Sequence, residues 1–313
     1  MDLSIVATLY KSEPYVAEFH ERASREARKL SDDYEIILVD DGSPDESLKV
    51  ARGLVESDPR LRVVELSRNY GHHKAMMTGL ERAKGEKVFL IDVDLEEPPE
   101  LLGTFDAALR DGPWDVVYGY QSRRKGGVVE RFAGAAAWRL IGLLLPIKIP
   151  ANHSTVRLMT RAYKEALVRH KEHKTAIGGL WVITGFKQKG VEFAKGSRGA
   201  SAYGLWKRME MMLDSITSFS ETPLLFVFFL GLGILACSMA VGAGLIALRL
   251  TGTVLEGWVS VMVSVWMLGG LAIFCIGVVG LYVSRIFIET KARPYTIVRD
   301  VYEKKPAGSA RQG

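Results

Sequence analysis

Two long uncharged runs in the last third of the chain constrain its fold more than any other feature. Leu224–Leu248 is 25 residues without one charged side chain, and Val259–Ser284 is another 26. A helix crossing the hydrocarbon core of a bilayer needs roughly 20 apolar residues, so each run is long enough with some tilt. As buried helices of a soluble protein they would need a very large core to cover them. The expected organisation is therefore a soluble domain over 1–222, two transmembrane helices within 223–285 (224–248 and 259–284), and a tail over 286–313.

The basic residues orient these spans. Lys207 and Arg208 precede the first, while Arg285, Lys291 and Arg293 follow the second. The connection Thr251–Gly257 carries Glu256, with Arg249 at its edge. The positive-inside rule places both the large domain and the tail on the cytoplasmic side. Met1–Tyr10 has no basic stretch leading into an apolar one, so no signal peptide is expected there. The two cysteines, Cys237 and Cys275, fall one in each run. That excludes a disulfide framework or a cysteine-rich zinc site and fits a reducing compartment. The net charge of +5 gathers near the spans, which favours contact with anionic lipid headgroups over nucleic acid. Gly269, Gly270, Gly277 and Gly280 would permit close helix packing, and with it a homo-oligomer.

Ahead of the spans, short apolar runs alternate with amphipathic segments. Leu3–Thr8, Tyr34–Asp40, Leu61–Leu66, Lys87–Ile91 and Asp115–Gly119 read as strands. Tyr15–Leu30, Asp45–Ser57, Gly71–Ala83 and Pro99–Arg110 read as helices, with Ser43-Pro44-Asp45 and Pro98-Pro99-Glu100 as helix starts. This order predicts an α/β fold with a doubly wound, mostly parallel sheet. Two further segments, 128–146 and 203–219, mix aromatic and aliphatic residues with arginine and lysine. Both read as helices lying in the membrane interface, although the first fits a buried domain helix equally well. No G-x-G-x-x-G follows the first strand and no Walker pattern occurs, which argues against a dinucleotide oxidoreductase or a P-loop NTPase.

In an open α/β sheet, ligands bind beyond the carboxyl ends of the strands, and the unusual carboxylates fall there. Asp92-Val93-Asp94 follows the fourth strand. The side chains of i and i+2 in an extended segment point to one side, so Asp92 and Asp94 can face the same cleft as hard oxygen ligands suited to Mg²⁺ or Mn²⁺, with water and diphosphate oxygens completing the shell. Asp40-Asp41-Gly42-Ser43 follows the second strand. It can accept hydrogen bonds from a base or ribose, or serve simply as a turn in which Ser43 or Asp45 caps a helix. His72 and His73 open the third helix, where they fit hydrogen bonding near the cleft or a solvated helix start better than a metal site.

Taken together, Tyr10, the VDDGSPDES stretch at Val39–Ser47, the LSRNYGHHKAMMTGL stretch at Leu66–Leu80 and the IDVDLEEPPE stretch at Ile91–Glu100 resemble family 2 glycosyltransferases of the GT-A fold. The branch they look most like is that of the polyprenyl-phosphate glycosyltransferases, which includes bactoprenol glucosyltransferases and dolichol-phosphate mannose synthases. The Thr217–Ser220 segment before the first span and Arg293-Pro294-Tyr295 after the second fit the same pattern. The resemblance implies sugar transfer, with inversion, from a nucleotide diphosphate sugar (a UDP-sugar first) to undecaprenyl phosphate at the cytoplasmic leaflet of a bacterial inner membrane, aided by Mg²⁺ or Mn²⁺. Carried over residue by residue, it puts Thr8, Tyr10, Glu13, Asp40, Asp41, Asp92 and Val93 at the nucleotide, and Asp92 and Asp94 at the metal. Asp94, His153 and Thr155 fall at the reacting centre, and Arg123, Arg124, Arg157, Arg198 and Lys207 near the acceptor phosphate.

The departures from that pattern carry information about the acceptor. Thr8 stands where the family has proline, Gln121 where it has a basic residue, and Ala202 where it has lysine. The family's aspartate, thought to help activate the acceptor, is Thr155. A phosphate monoester has a second pKa of about 6 and is already largely ionised at neutral pH, so positioning suffices for it. A sugar hydroxyl would need a base, with His153, Glu96 and Glu97 as the nearby candidates. Three readings thus remain from sequence: transfer to polyprenyl phosphate, transfer to a lipid-linked glycan, and a catalytically decayed nucleotide-sugar-binding membrane protein. A processive polysaccharide synthase fits poorly, because no Q-x-x-R-W segment occurs.

Overall fold

A computed structural model describes residues 1–121, 153–172, 177–194, 220, 222–250 and 257–304. The segments expected to lie in the membrane interface, 128–146 and 203–219, fall outside these residues. The chain divides into two units, one formed by Met1–Glu130, Ile149–Tyr203 and Pro294–Gly313, the other by Arg131–Lys148 and Gly204–Arg293.

The first unit is built on an eight-stranded sheet. In chain order its elements are β1 (Leu3–Leu9), α1 (Glu13–Leu30), β2 (Tyr34–Asp40), α2 (Ser47–Ser57), β3 (Leu61–Leu66), α3 (His72–Arg82), β4 (Lys87–Leu90), α4 (Leu101–Arg110), β5 (Val116–Tyr120), β6 (His153–Thr160), α5 (Arg161–Leu167), α6 (Ile177–Ile183), β7 (Gln188–Glu192) and β8 (Val298–Glu303). The strands lie in the order β7-β5-β6-β4-β1-β2-β3-β8. The central run β4-β1-β2-β3 is parallel throughout, whereas β6 and β8 run antiparallel to β4 and β3. The sheet is therefore mixed at its flanks.

Every residue of β1 and β2 is buried, as expected of parallel strands covered on both faces. On one face Ile5, Ala7, Ile36 and Leu38 pack with Val16, Phe19 and Ala23 of α1, Val55 of α2 and Phe105 of α4. The opposite face receives α3 so closely that a Cβ on Gly79 would lie 2.5 Å from Val6 Cγ1 and 2.9 Å from Val39 Cγ2. Helix α2 starts at Ser47, later than Ser43-Pro44-Asp45 suggested, and no side chain caps it. Asp45 instead accepts the Glu13 N–H at 3.2 Å and the Ser47 hydroxyl at 2.6 Å, which ties the heads of α1 and α2 together.

The tail does not simply trail away. Val298–Glu303 adds β8 beside β3; there the Tyr302 hydroxyl donates to Glu65 at 2.7 Å and Arg299 pairs with the same carboxylate at 3.0 Å. Just before it, the Thr78 and Thr296 hydroxyls bond at 2.8 Å and the Lys74 ammonium lies 5.3 Å from the Tyr295 ring centre.

The second unit contains α7 (Thr222–Leu250) and α8 (Trp258–Thr290). Tyr282 of α8 donates its hydroxyl to the Ser220 carbonyl at 2.7 Å. Phe228, Phe229, Ile273 and Ile276 are exposed, an apolar surface that water does not favour. Among the described residues one stretch, Met267–Thr290, is long and apolar enough to cross a membrane; the corresponding stretch of α7, Thr222–Ile234, is shorter. The sequence predicted two spans, and by this measure the structure supports one.

Candidate active site

The carboxyl ends of β1, β2 and β4 come side by side in the parallel run, and α3 enters between them from the loop after β3. From the other direction β6 arrives antiparallel to β4, with Leu90 opposite Arg157. Sequence positions some 60 apart are thereby brought to one edge of the sheet, because β6 runs back along β4.

Asp40 and Asp41 divide their work. Asp40 closes β2 and Asp41 lies just beyond it. Asp41 spends both oxygens inside the protein, accepting the Tyr70 N–H at 2.6 Å and the Gly71 N–H at 2.9 Å. It clamps the loop that leads into α3. Asp40 is also buried, and its Oδ2 accepts the Ser43 N–H at 3.3 Å. Its Oδ1 is buried with no hydrogen-bond partner among the described residues. Burial, the largest influence, raises the pKa of both carboxyls, against the pull of the backbone N–H groups around them. Gly42 makes this turn possible: its φ is +65°, and a Cβ there would lie 2.7 Å from the backbone of Arg68 and Asn69.

The D-x-D segment follows β4 but is not extended. β4 ends at Leu90, and the chain turns at Val93 and Asp94. Val93 points into the core at 1% exposure, so its side chain cannot line a nucleotide pocket. Asp92 and Asp94 remain partly exposed, and Asp94 Oδ1 accepts the Glu96 N–H at 2.9 Å, steadying the turn. Leu95 completes the reversal at φ +59°. His72 stands against Asp92, its Nε2 3.3 Å from Oδ1, while its Nδ1 lies 3.0 Å from the Thr8 hydroxyl. Of the two sequence readings for His72, the one near the cleft holds. Tyr10 is exposed beyond β1, and Glu13 uses its carboxylate on the Glu46 N–H at 3.3 Å.

At the mouth of β6, Ser154 donates to Glu97, which is 1% exposed. The His153 ring lies edge-on to Trp181 with centres 5.3 Å apart. Arg157 was expected at the acceptor phosphate, yet it is fully buried: its guanidinium lies over the Trp181 ring and donates to the carbonyls of Thr155 (3.1 Å) and Ser154 (3.2 Å). Desolvation pulls its pKa down to about 10, against the opposing pull of Tyr163 and Glu97. Arg157 therefore organises the β6 entrance from below. Arg123, Arg124, Arg198 and Lys207 lie outside the described residues.

A model of glycosyl transferase family 2 matches residues 4–168, more than half of the chain. The chain belongs to that family. The matched span runs from β1 through α5 and includes Asp40, Asp92, Asp94 and the whole of β6. This family 2 glycosyltransferase is 50% identical over 303 residues to one of the "putative glycosyltransferases" of Mycobacterium tuberculosis, covering 96% of this chain and 89% of that one. It is 31% identical to the bactoprenol glucosyl transferase of Shigella phage SfV, over 97% of this chain and all of the phage protein. Among solved structures, a mannosyltransferase of Pyrobaculum calidifontis in complex with GDP-Man and Mn²⁺ is similar at 20% identity and a TM-score of 0.45, covering 68% of this chain and 62% of its own.

Proposed function

We propose that this glycosyltransferase moves one sugar from a nucleotide diphosphate sugar, a UDP-sugar first among them, to a polyprenyl phosphate in the membrane. What supports the acceptor assignment is Thr155, which stands where the family pattern has an aspartate. A threonine hydroxyl does not take a proton near neutral pH, and an acceptor phosphate, already ionised, does not ask it to. The relative from Shigella phage SfV, similar over its whole length, bears the name of a transferase acting on such a lipid.

The residues then have distinct tasks. Asp40 Oδ1, buried and without a hydrogen-bond partner among the described residues, suits the N–H of a base. Asp92 and Asp94 offer partly exposed hard oxygen donors on one turn, which fits Mg²⁺ or Mn²⁺. Among the described residues no group of three or more His, Cys, Asp or Glu gathers to hold a metal, so water and diphosphate oxygens would complete its shell. When bound, the ion supplies charge neutralisation for the leaving diphosphate. The β6 entrance, held by Arg157 and the Ser154–Glu97 pair, orients the acceptor oxygen for a single displacement with inversion. Helices α7 and α8 serve in this reading as two spans, with the catalytic domain on the cytoplasmic side by the positive-inside rule.

The test is direct. Purified full-length protein is incubated with labelled UDP-sugars, undecaprenyl phosphate and Mg²⁺ or Mn²⁺, and the lipid fraction is analysed by mass spectrometry. A glycosylated polyprenyl phosphate is expected. No glycolipid across a broad donor panel, or product only when a lipid-linked glycan is supplied, refutes the assignment.

A further inference from the structure

The geometry points to the tail strand β8 as a working part of the donor site: Arg299 and Tyr302 hold Glu65, offset its charge beside Asp40, and so keep Asp40 fit to receive a nucleotide base. This inference rests on the donor-site reading above and adds to it two positioning residues, which act through Glu65 and come from the far end of the chain.

Asp40 and Glu65 are register partners on the adjacent parallel strands β2 and β3, so their side chains stand on the same face of the sheet. Both are buried. Like charges set side by side on a sheet repel, and more strongly where water is excluded. Burial is the largest influence raising the Asp40 pKa, and the Glu65 charge pushes it the same way. An ionised Asp40 makes the stronger acceptor for a base N–H, so whatever offsets the Glu65 charge favours the nucleotide.

The offset comes from β8. Arg299 Nη1 lies 3.0 Å from Glu65 Oε1, and the Tyr302 hydroxyl donates to Oε2 at 2.7 Å, so the tail engages both oxygens. The Arg52 guanidinium of α2 lies 4.2 Å from the Tyr302 ring centre and steadies the phenol. The main chain repeats the connection. The Ser67 N–H donates to the Ile297 carbonyl at 2.9 Å. Ser67 opens the loop whose Arg68 and Asn69 lie against Gly42 and whose Tyr70 N–H is bound by Asp41. The tail therefore reaches the turn after β2 along two routes, by charge through Glu65 and by backbone through Ser67.

Isothermal titration of metal-free UDP tests this on full-length protein in detergent. Arg299→Ala combined with Tyr302→Phe leaves the Glu65 charge uncompensated and should weaken UDP binding about 5-fold, the low end of couplings between sites. The low end is expected because Arg299 is 64% exposed and its ion pair is screened by salt. Adding Glu65→Gln to that variant removes the repelling charge and should return most of the lost affinity. Arg299→Lys, which keeps the charge, should lose less than Arg299→Ala. Parental UDP affinity in the folded double variant overturns the inference and leaves the donor-site reading standing. A loss that Glu65→Gln does not rescue overturns it too, because the tail then acts only as a support of the fold. If the double variant does not fold, Arg299→Ala alone removes the compensating charge from an exposed side chain, and parental affinity there overturns the inference equally. A parent protein that binds no UDP overturns the donor-site reading, and the inference with it.

Discussion

Replacing Asp40 with asparagine tests the donor site at its most specific atom. The carboxylate has two oxygens in different situations: Oδ2 accepts the Ser43 N–H at 3.3 Å, and Oδ1 is buried without a partner among the described residues. Asparagine keeps one acceptor. Whichever way the amide turns, either the Ser43 N–H or the N–H of a bound base faces an NH₂ group. A hydrogen bond to a charged acceptor contributes about 1.5–3 kcal/mol, which corresponds to roughly 10- to 150-fold in affinity. UDP affinity, read by titration calorimetry, should fall by that factor, with kcat at saturating donor changing much less. Stability should move the other way. Burial raises the Asp40 pKa from 3.8, so the folded protein holds this proton more tightly than the unfolded chain does. The parent's stability from this group therefore declines as pH rises from the unfolded value through the raised folded one, and stays lower above it. Asp40→Asn removes that decline, and its thermal midpoint at pH 7 should be no lower than the parent's. The parent should also lose UDP affinity as pH falls through the raised pKa, because a base N–H prefers the ionised carboxylate, and the variant should not. A folded Asp40→Asn protein with parental UDP affinity would refute the reasoning.

Three further substitutions probe the supports of the site. Gly42→Ala meets a positive φ and backbone atoms 2.7 Å away, so a loss of about 1–3 kcal/mol in denaturant unfolding is expected, together with weaker UDP binding. Arg157→Ala opens a cavity against Trp181 and frees the carbonyls of Ser154 and Thr155; a loss of about 2–4 kcal/mol in thermal unfolding is expected, with UDP affinity in the surviving folded fraction kept, whereas parental stability with loss of lipid acceptor binding would restore Arg157 to the acceptor phosphate. Tyr302→Phe removes the 2.7 Å bond to buried Glu65 and should cost about 1–2 kcal/mol in thermal unfolding, a loss that a tail not docked on β3 would not show.

Much of this architecture was legible in local pattern. Tyr34–Asp40 and Leu61–Leu66 match the observed strands β2 and β3 residue for residue, because buried parallel strands are short unbroken runs of Val, Ile and Leu that the period of the chain reveals directly. The places of Asp40, Asp92 and Asp94 at the carboxyl ends of β2 and β4 were legible for the same reason, since each closes or follows such a run. The apolar character of the two C-terminal helices is likewise a property of composition alone.

What local pattern could not supply was everything decided between distant segments. β8 is short, charged and set after the apolar helices, and only pairing with β3 makes it a strand. The hydrogen bonds of Asp41 depend on the loop into α3, which comes from a distant part of the chain. The resemblance put Arg157 near the acceptor phosphate, and only the surrounding carbonyls and Trp181 show why it is buried. His72 is the clearest case. Its sequence neighbours mark it as the start of a helix, whereas its ring meets Thr8 and Asp92, which lie 64 and 20 positions away and come near it only because β1 and β4 are adjacent in the sheet. Hydrophobic periodicity, acting over a few residues, determined the elements; long-range pairing, which no local pattern encodes, decided which polar atoms face one another.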